Sequence, residues 1–213
     1  MRYEVGVKEP YQRPILSRYS DPVELIWLAT ARRLQLTIRR NPEIFSATDG
    51  TGLLELGPRS DLDPDDTLGQ MVLHELCHWI TNGEETYHTR DWGFPLDMKE
   101  DDPREFACLR LQAWLTRPFG LRVVMAPTSD FRGYYDRIPE DPLVPLDDSL
   151  MEQEVVRIAA QAVERAQQPP FCGPIRAALE ATQQVGRCVS AFLDDYASEV
   201  AGDTLPSLWS IQE

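Results

Sequence analysis

His74, Glu75 and His78 form the pattern H-E-x-x-H, and no other residues of the chain point so directly to chemistry. Four positions place two side chains one above the other on a single helix face. Two imidazoles at that spacing reach one metal ion, and the acid beside the first of them is directed at the ion's open side. There a carboxylate can move a proton to or from a metal-activated water. The chain contains three histidines, so this motif takes all but one of them. Two core histidines bonded to backbone carbonyls would leave the intervening acid unexplained.

The motif needs a helix to hold it, and the stretch around it supplies the signals for one. Asp63 reads as an N-cap, Pro64 as the first helical position, and Asp65 and Asp66 as acids suited to the positive helix end. Asn82-Gly83 reads as the stop. Between them Leu68, Met71, Val72, Leu73, Leu76, Cys77, Trp79 and Ile80 fall on every side, which is the pattern of a buried helix. Burying two imidazoles and a carboxylate there is costly unless they are paired or bind a metal.

Two histidines require at least one further protein ligand. Glu105 is the first candidate, on the next helix. It also stands three positions after Asp102, where a capping-box glutamate belongs. Asp91 and His88 are the other candidates, as ligands or as partners of ligands, and His88 lies too far beyond His78 for the H-E-x-x-H-x-x-G-x-x-H spacing.

The remaining elements follow from capping and periodicity. Residues 1–20, rich in Pro, Arg and Tyr, read as an extended arm. Asp21-Pro22-Val23-Glu24 opens a helix to about Arg33. Leu34, Leu36 and Ile38 alternate as a half-buried strand, ended by Asn41-Pro42. Residues 44–48 and 53–56 flank Asp49-Gly50 as a hairpin. The polar stretch 84–102 is long for a connection and is expected to form the mouth of the site. With Glu84, Glu85, Asp91, Asp97, Glu100, Asp101 and Asp102, and with Asp65 and Asp66 nearby, that mouth should be negative.

A helix from Asp102 to Pro118 comes next, then a strand over 121–125 and a surface loop over 126–148. The C-terminal part, 149–200, reads as helical. One helix there opens at a Ser149–Glu152 capping box, and another starts at Pro174 with an interruption at Gly186 and Phe192, Leu193 and Tyr196 on one face. The expected fold is α+β. It is a single metal-binding domain, residues 1–213, with a small sheet and a central buried H-E-x-x-H helix among surrounding helices.

The formal charge of −14 and pI near 4.6 argue against binding a nucleic-acid backbone. No apolar run is long enough to span a membrane, and no N-terminal leader pattern is seen, so a cytoplasmic protein is expected. Cys77 and Cys108 fall within predicted core helices as reduced thiols.

The residues also resemble the elongation factor P hydroxylases. The resemblance rests on His74, Glu75, His78, Trp79 and Gly83, followed by Asp91-Trp92-Gly93. Weaker matches follow at Trp114-Leu115, Pro118-Phe119, Arg157, Ala160, Gln161, Pro174 and Arg176, so it spans roughly residues 70–180. It implies a metal held by His74, His78 and a downstream glutamate that Glu105 matches approximately. It also implies Fe(II) chemistry and hydroxylation of a modified lysine on a translation factor, elongation factor P or another lysine-bearing protein. The segment after Gly93 is shorter here, and the N-terminal part is longer and the chain more acidic.

Three functions are therefore in play. One is an iron-dependent hydroxylase of the resembled kind, with two histidines and one carboxylate leaving positions open for oxygen. The second, a more distant resemblance, is a zinc-dependent peptidase or hydrolase of the gluzincin type, with Glu75 as general base. The third is a protein whose metal only holds the fold, which would normally close the site with four Cys or His ligands.

Overall fold

Backbone capping decides where each helix begins. In the computed structural model, which describes residues 14, 16, 19–63, 66–94 and 102–199 (side chains excepted at 129, 130 and 193–199), the first helix is α1, Pro22–Arg33. The Asp21 carboxylate accepts from the backbone N–H of Val23 and Glu24 and so satisfies the orphan donors of its first turn. Of the expected N-terminal arm, only Pro14, Leu16, Tyr19 and Ser20 are described, all exposed; the rest lies outside the described residues.

A three-stranded sheet follows, made of β1 (Thr37–Arg40), β2 (Ser46–Thr48) and β3 (Leu53–Leu56) in the order β1-β3-β2. The expected hairpin is the antiparallel β2–β3 pair, with Ser46 opposite Leu56 and Thr48 opposite Leu54. β1 joins β3 in parallel. The first strand starts later than its alternation suggests, because Leu34 ends α1 and Gln35 takes a positive φ of 64°. Leu34 and Leu36 are buried all the same.

The motif helix is α2, Leu68–Asn82. Its N-cap is Thr67 and not Asp63. Thr67 and Gln70 form a reciprocal capping box, each side chain bonded to the other's backbone at 3.1 Å. Asp63 and Asp66 belong to the turn before it, and Pro64 and Asp65 lie outside the described residues. Every residue of α2 except His78 and Asn82 is buried or nearly so. Gly69 lets α1 approach closely: a Cβ there would stand 2.8 Å from the Trp27 ring. At the other end Gly83 ends the helix with φ of +102°, which a side chain would strain.

Helix α3, Pro103–Thr116, packs on α2 and is capped by Asp102. It is buried on two sides. Cys108, Leu111 and Leu115 face the core built by α1, α2 and the sheet, whereas Ala107, Leu109 and Ala113 face a second cluster with Tyr134, Tyr135, Ile138 and Val155.

That second cluster corrects two expectations. Residues 121–125 form a turn and no strand, with Met125 N–H bonded to the Leu121 carbonyl at 2.9 Å. Residues 126–148 are more than a surface loop, because they contain the short helix α4, Ser129–Tyr135, which buries two tyrosines against α3. The proline and aspartate content marked the turns but hid the aromatic anchors.

Two helices complete the chain, α5 (Leu150–Ala166) and α6 (Cys172–Glu199). Ser149 caps α5, but Glu152 does not return the bond and turns inward instead. α6 begins at Cys172, before Pro174, and runs through Gly186 without a break. Phe192 is exposed, and the side chains of Leu193 and Tyr196 lie outside those described. The Trp27 indole donates to Thr182 at 3.1 Å and ties α1 to α6. The fold is α+β. Among the described residues no helix is long and apolar enough to cross a membrane.

Candidate metal centre

The helical period of α2 stacks His74 over His78, and the packing of α3 across α2 brings Glu105 to both. The two Nε2 atoms stand 2.9 Å apart. Glu105 Oε1 lies 3.5 Å from His74 Nε2, and Oε2 lies 3.2 Å from His78 Nε2. Glu105 is only 1% exposed, so its carboxylate has no access to water. It does not cap Asp102, whose own side chain accepts from Arg104 N–H at 2.8 Å.

Neither Glu105 oxygen has a well-aligned hydrogen bond, and their close polar neighbours are the two imidazole Nε2 atoms. A buried carboxylate left this way is costly. Around an ion with bonds of about 2.0–2.2 Å, neighbouring donor atoms stand roughly 3–3.5 Å apart, the spacing of these three side chains. The residues therefore fit a divalent metal, and one ion would satisfy the orphaned oxygens and both ring nitrogens together.

The charges agree with that geometry. Burial, reinforced by neighbouring His78, pushes His74 below the usual histidine range. For His78, burial acts in the same direction but is outweighed by the Glu105 carboxylate, which raises it to about 9. Burial likewise opposes ionisation of Glu105, and the charge of His78 nevertheless holds it below the usual carboxylate range. Without a metal the cluster is thus a carboxylate–imidazolium pair beside a neutral imidazole. A metal ion would take the place of the proton on His78.

Cys108 completes a group of four potential donors whose atoms lie within 4.8 Å of one another. Its thiol, however, faces the carbonyl of His74 at 3.7 Å and Nδ1 at 3.9 Å, away from the converging Nε2 atoms. Burial pushes that thiol well above its ordinary value, so it stays protonated. Neither Cys108 nor Gln112, which bonds His74 Nδ1 at 3.0 Å, was singled out from sequence. The available signal was spacing: both follow Glu105 on one face of α3, three and seven positions on.

The three ligands open onto a cleft of about 320 Å³. Glu75 lies in it, 7% exposed, and no hydrogen bond or ion pair is found for its carboxylate among the described residues. Phe45 of the hairpin segment and Phe131 of α4 both line the cleft, and the Phe131 ring stacks over His74 at 6.2 Å. Phe94 packs on His78 at 4.4 Å and is itself covered by the Arg104 guanidinium.

Asp91 reaches the cleft, but its carboxylate is engaged with the backbone of Thr48 at 3.0 Å and with Arg90 at 3.2 Å. It anchors the hairpin edge. His88 is elsewhere, exposed and packed on Tyr87 beside a separate depression, so the structure does not bring it to the ligands. Glu84 lines that same depression and not the cleft.

Of the residues expected to make a negative mouth, Asp91 lines the cleft and is paired with Arg90, while Asp102 caps α3 and pairs with Arg104. Asp97, Glu100 and Asp101 lie outside the described residues. The Asp91-Trp92-Gly93 turn holds three successive positive φ values. It is locked by stacking of Trp92 on Trp79 at 5.2 Å and by Asn82 donating to the Trp92 carbonyl at 2.9 Å. Backbone strain of this kind persists only where packing over-determines it.

Fold and site together define an α+β protein with a buried His/His/Glu group that could hold a metal ion. Comparison with known proteins finds no matching family model, no matching curated protein and no matching solved structure.

Proposed function

We propose that this protein is a metal-dependent enzyme, and that it hydroxylates a lysine-type side chain on a protein substrate in the manner of the elongation factor P hydroxylases it resembles. The observation that carries the proposal is the three-donor cluster of His74, His78 and Glu105, open on its cleft side. Two imidazoles and a carboxylate leave coordination positions free for oxygen, whereas a structural zinc site closes with four Cys or His ligands. The residues of the resemblance also meet in the fold, since Trp79 stacks on Trp92, and Asp91 and Trp92 line the cleft beside the ligands.

An Fe(II) ion bound by the three donors would supply oxygen activation. The chain's own residues do the rest. His74 and His78 offer Nε2 lone pairs, and Glu105 balances the charge. Phe45 and Phe131 line a slot for an aliphatic stem and keep water from it. Glu75 presents an unpaired carboxylate to a cationic amine at the end of that stem. In the balanced reaction one atom of O2 enters a C–H bond as hydroxyl. The other leaves as water, with two electrons from an external reductant and two protons.

Glu75 also favours a second reading. A buried, unpartnered carboxylate beside the ligands is what a zinc hydrolase uses as general base on water.

One experiment separates the two. The purified protein is loaded with Fe(II) or Zn(II) and offered β-lysylated elongation factor P and, separately, an unstructured peptide. A gain of one oxygen on the lysine, requiring iron, air and reductant, is the expected result. Peptide cleavage with zinc, abolished by Glu75→Gln, would replace hydroxylation with hydrolysis.

A further inference from the structure

Helix α3 meets His74 at both ring nitrogens. Glu105, Cys108 and Gln112 are spaced three and four positions apart, so they share the face that packs on α2. Glu105 stands on the Nε2 side of His74, and Gln112, two turns further along, stands on the Nδ1 side. The Gln112 side chain is completely buried. Its amide nitrogen donates to the Met125 carbonyl at 2.7 Å, and since a carbonyl only accepts, the orientation of the amide is decided. The amide oxygen therefore faces His74 Nδ1 at 3.0 Å and can only accept there. Nδ1 must carry the proton, and Nε2 is left as a lone pair directed at His78 and Glu105.

His78 is held differently. Among the described residues no hydrogen bond reaches its Nδ1, and its ring rests on Phe94.

We propose that Gln112 is a positioning residue that holds His74 as the Nδ1–H tautomer and so presents Nε2 to the metal, which makes His74 the fixed ligand and His78 the compliant one. The proposal rests on the metal-centre assignment. Its physical basis is that a free neutral imidazole divides between two tautomers, one of which carries a proton where the ion must bind. The amide removes that form and fixes the ring plane. It also ties the site to the 121–125 turn, whose carbonyl orients the glutamine. A merely space-filling Gln112 would be replaced by leucine without consequence for the ring.

The test uses the full chain with 15N-labelled histidine, in which three imidazoles are readily told apart. Long-range 1H–15N correlation of the metal-free protein reads each tautomer, and titration with Zn(II) reads affinity. His74 is expected in the Nδ1–H form. Gln112→Leu should populate the Nε2–H form and weaken Zn(II) binding about 10- to 100-fold. Gln112→Glu keeps an acceptor facing Nδ1 and should restore both. An Nε2–H tautomer in the wild type overturns the proposal, and so does a Gln112→Leu protein with unchanged tautomer and affinity. If Gln112→Leu does not fold, the wild-type tautomer and the Gln112→Glu protein still decide. If the wild type binds no Zn(II), the metal-centre assignment fails, while the His74 tautomer still answers for Gln112.

Discussion

Helix α3 carries two buried charged centres a little over one turn apart, at Glu105 and at Arg110, and they are built oppositely. Arg110 is fully buried and donates through all three of its nitrogens: to Tyr134, to the carbonyls of Pro142 and Val144, and to Glu152. Glu152 in turn accepts from the Tyr134 hydroxyl and from Leu146 N–H, so both of its oxygens are used. The network is closed. At Glu105 both oxygens lack a hydrogen bond, and three donors converge on an opening. The first centre is complete without a ligand and holds the 140–147 segment to the helix. The second holds its carboxylate only against the two imidazoles and keeps an open side where an ion could join it. Burial and charge alone do not separate a structural network from a site; the tally of unsatisfied atoms does.

The largest effect should come from breaking the closed centre. Glu152→Ala strands the Arg110 guanidinium in the core and should cost about 3–5 kcal/mol. Urea denaturation of the metal-free protein reads this directly, and a loss below about 1 kcal/mol would mean that water reaches Arg110.

Next comes metal-linked stability. With metal at a thousandfold excess over Kd, binding adds about 4 kcal/mol to the wild type. A chelator should remove that increment, and His74→Ala or His78→Ala should never show it. Full metal occupancy in either single variant, measured by elemental analysis, refutes the ligand assignment.

Glu105→Gln sharpens the contrast. It should weaken metal binding far more than Asp91→Asn, because Asp91 is spent on Thr48 and Arg90. Without metal it should cost less than Glu152→Ala, because His78, freed from the carboxylate, can give up its proton and become neutral, whereas Arg110 cannot. A loss as large as that of Glu152→Ala would make Glu105 a structural residue.

The smallest effect is expected at the surface. Arg157→Ala removes an exposed pair with Glu154 and should leave stability and metal binding unchanged within error. A measurable shift in either would show that surface charge reaches the site.

Much of this was legible in the residues. The i, i+4 histidines, the apolar surround of α2 and the Asp102 cap are local features, governed by helical period and by the orphan N–H groups of a first turn. Glu105 could be nominated because it heads the next helix, but its sequence position fits a cap equally well. Only the packing of α3 on α2 turned it inward. At Glu152 the same ambiguity arises, and there too a buried partner outcompeted the cap. The cap of α2 was misplaced because Thr67 and Gln70 make a box that the preceding aspartates obscured.

What the sequence by itself determined is what neighbours in the chain can settle: the α+β content, the hairpin, the buried motif helix and its two histidines. Contacts between distant segments decided the rest. The Asp91 anchor on Thr48, Phe131 over His74, the closed Arg110 network and the Gln112 bond each join groups far apart in sequence, and such pairs leave no periodic trace. A side chain's local propensity is worth a few tenths of a kcal/mol to about one, whereas an unsatisfied buried charge costs several. Tertiary structure therefore had the final word wherever a charged residue could either cap a helix or turn into the core.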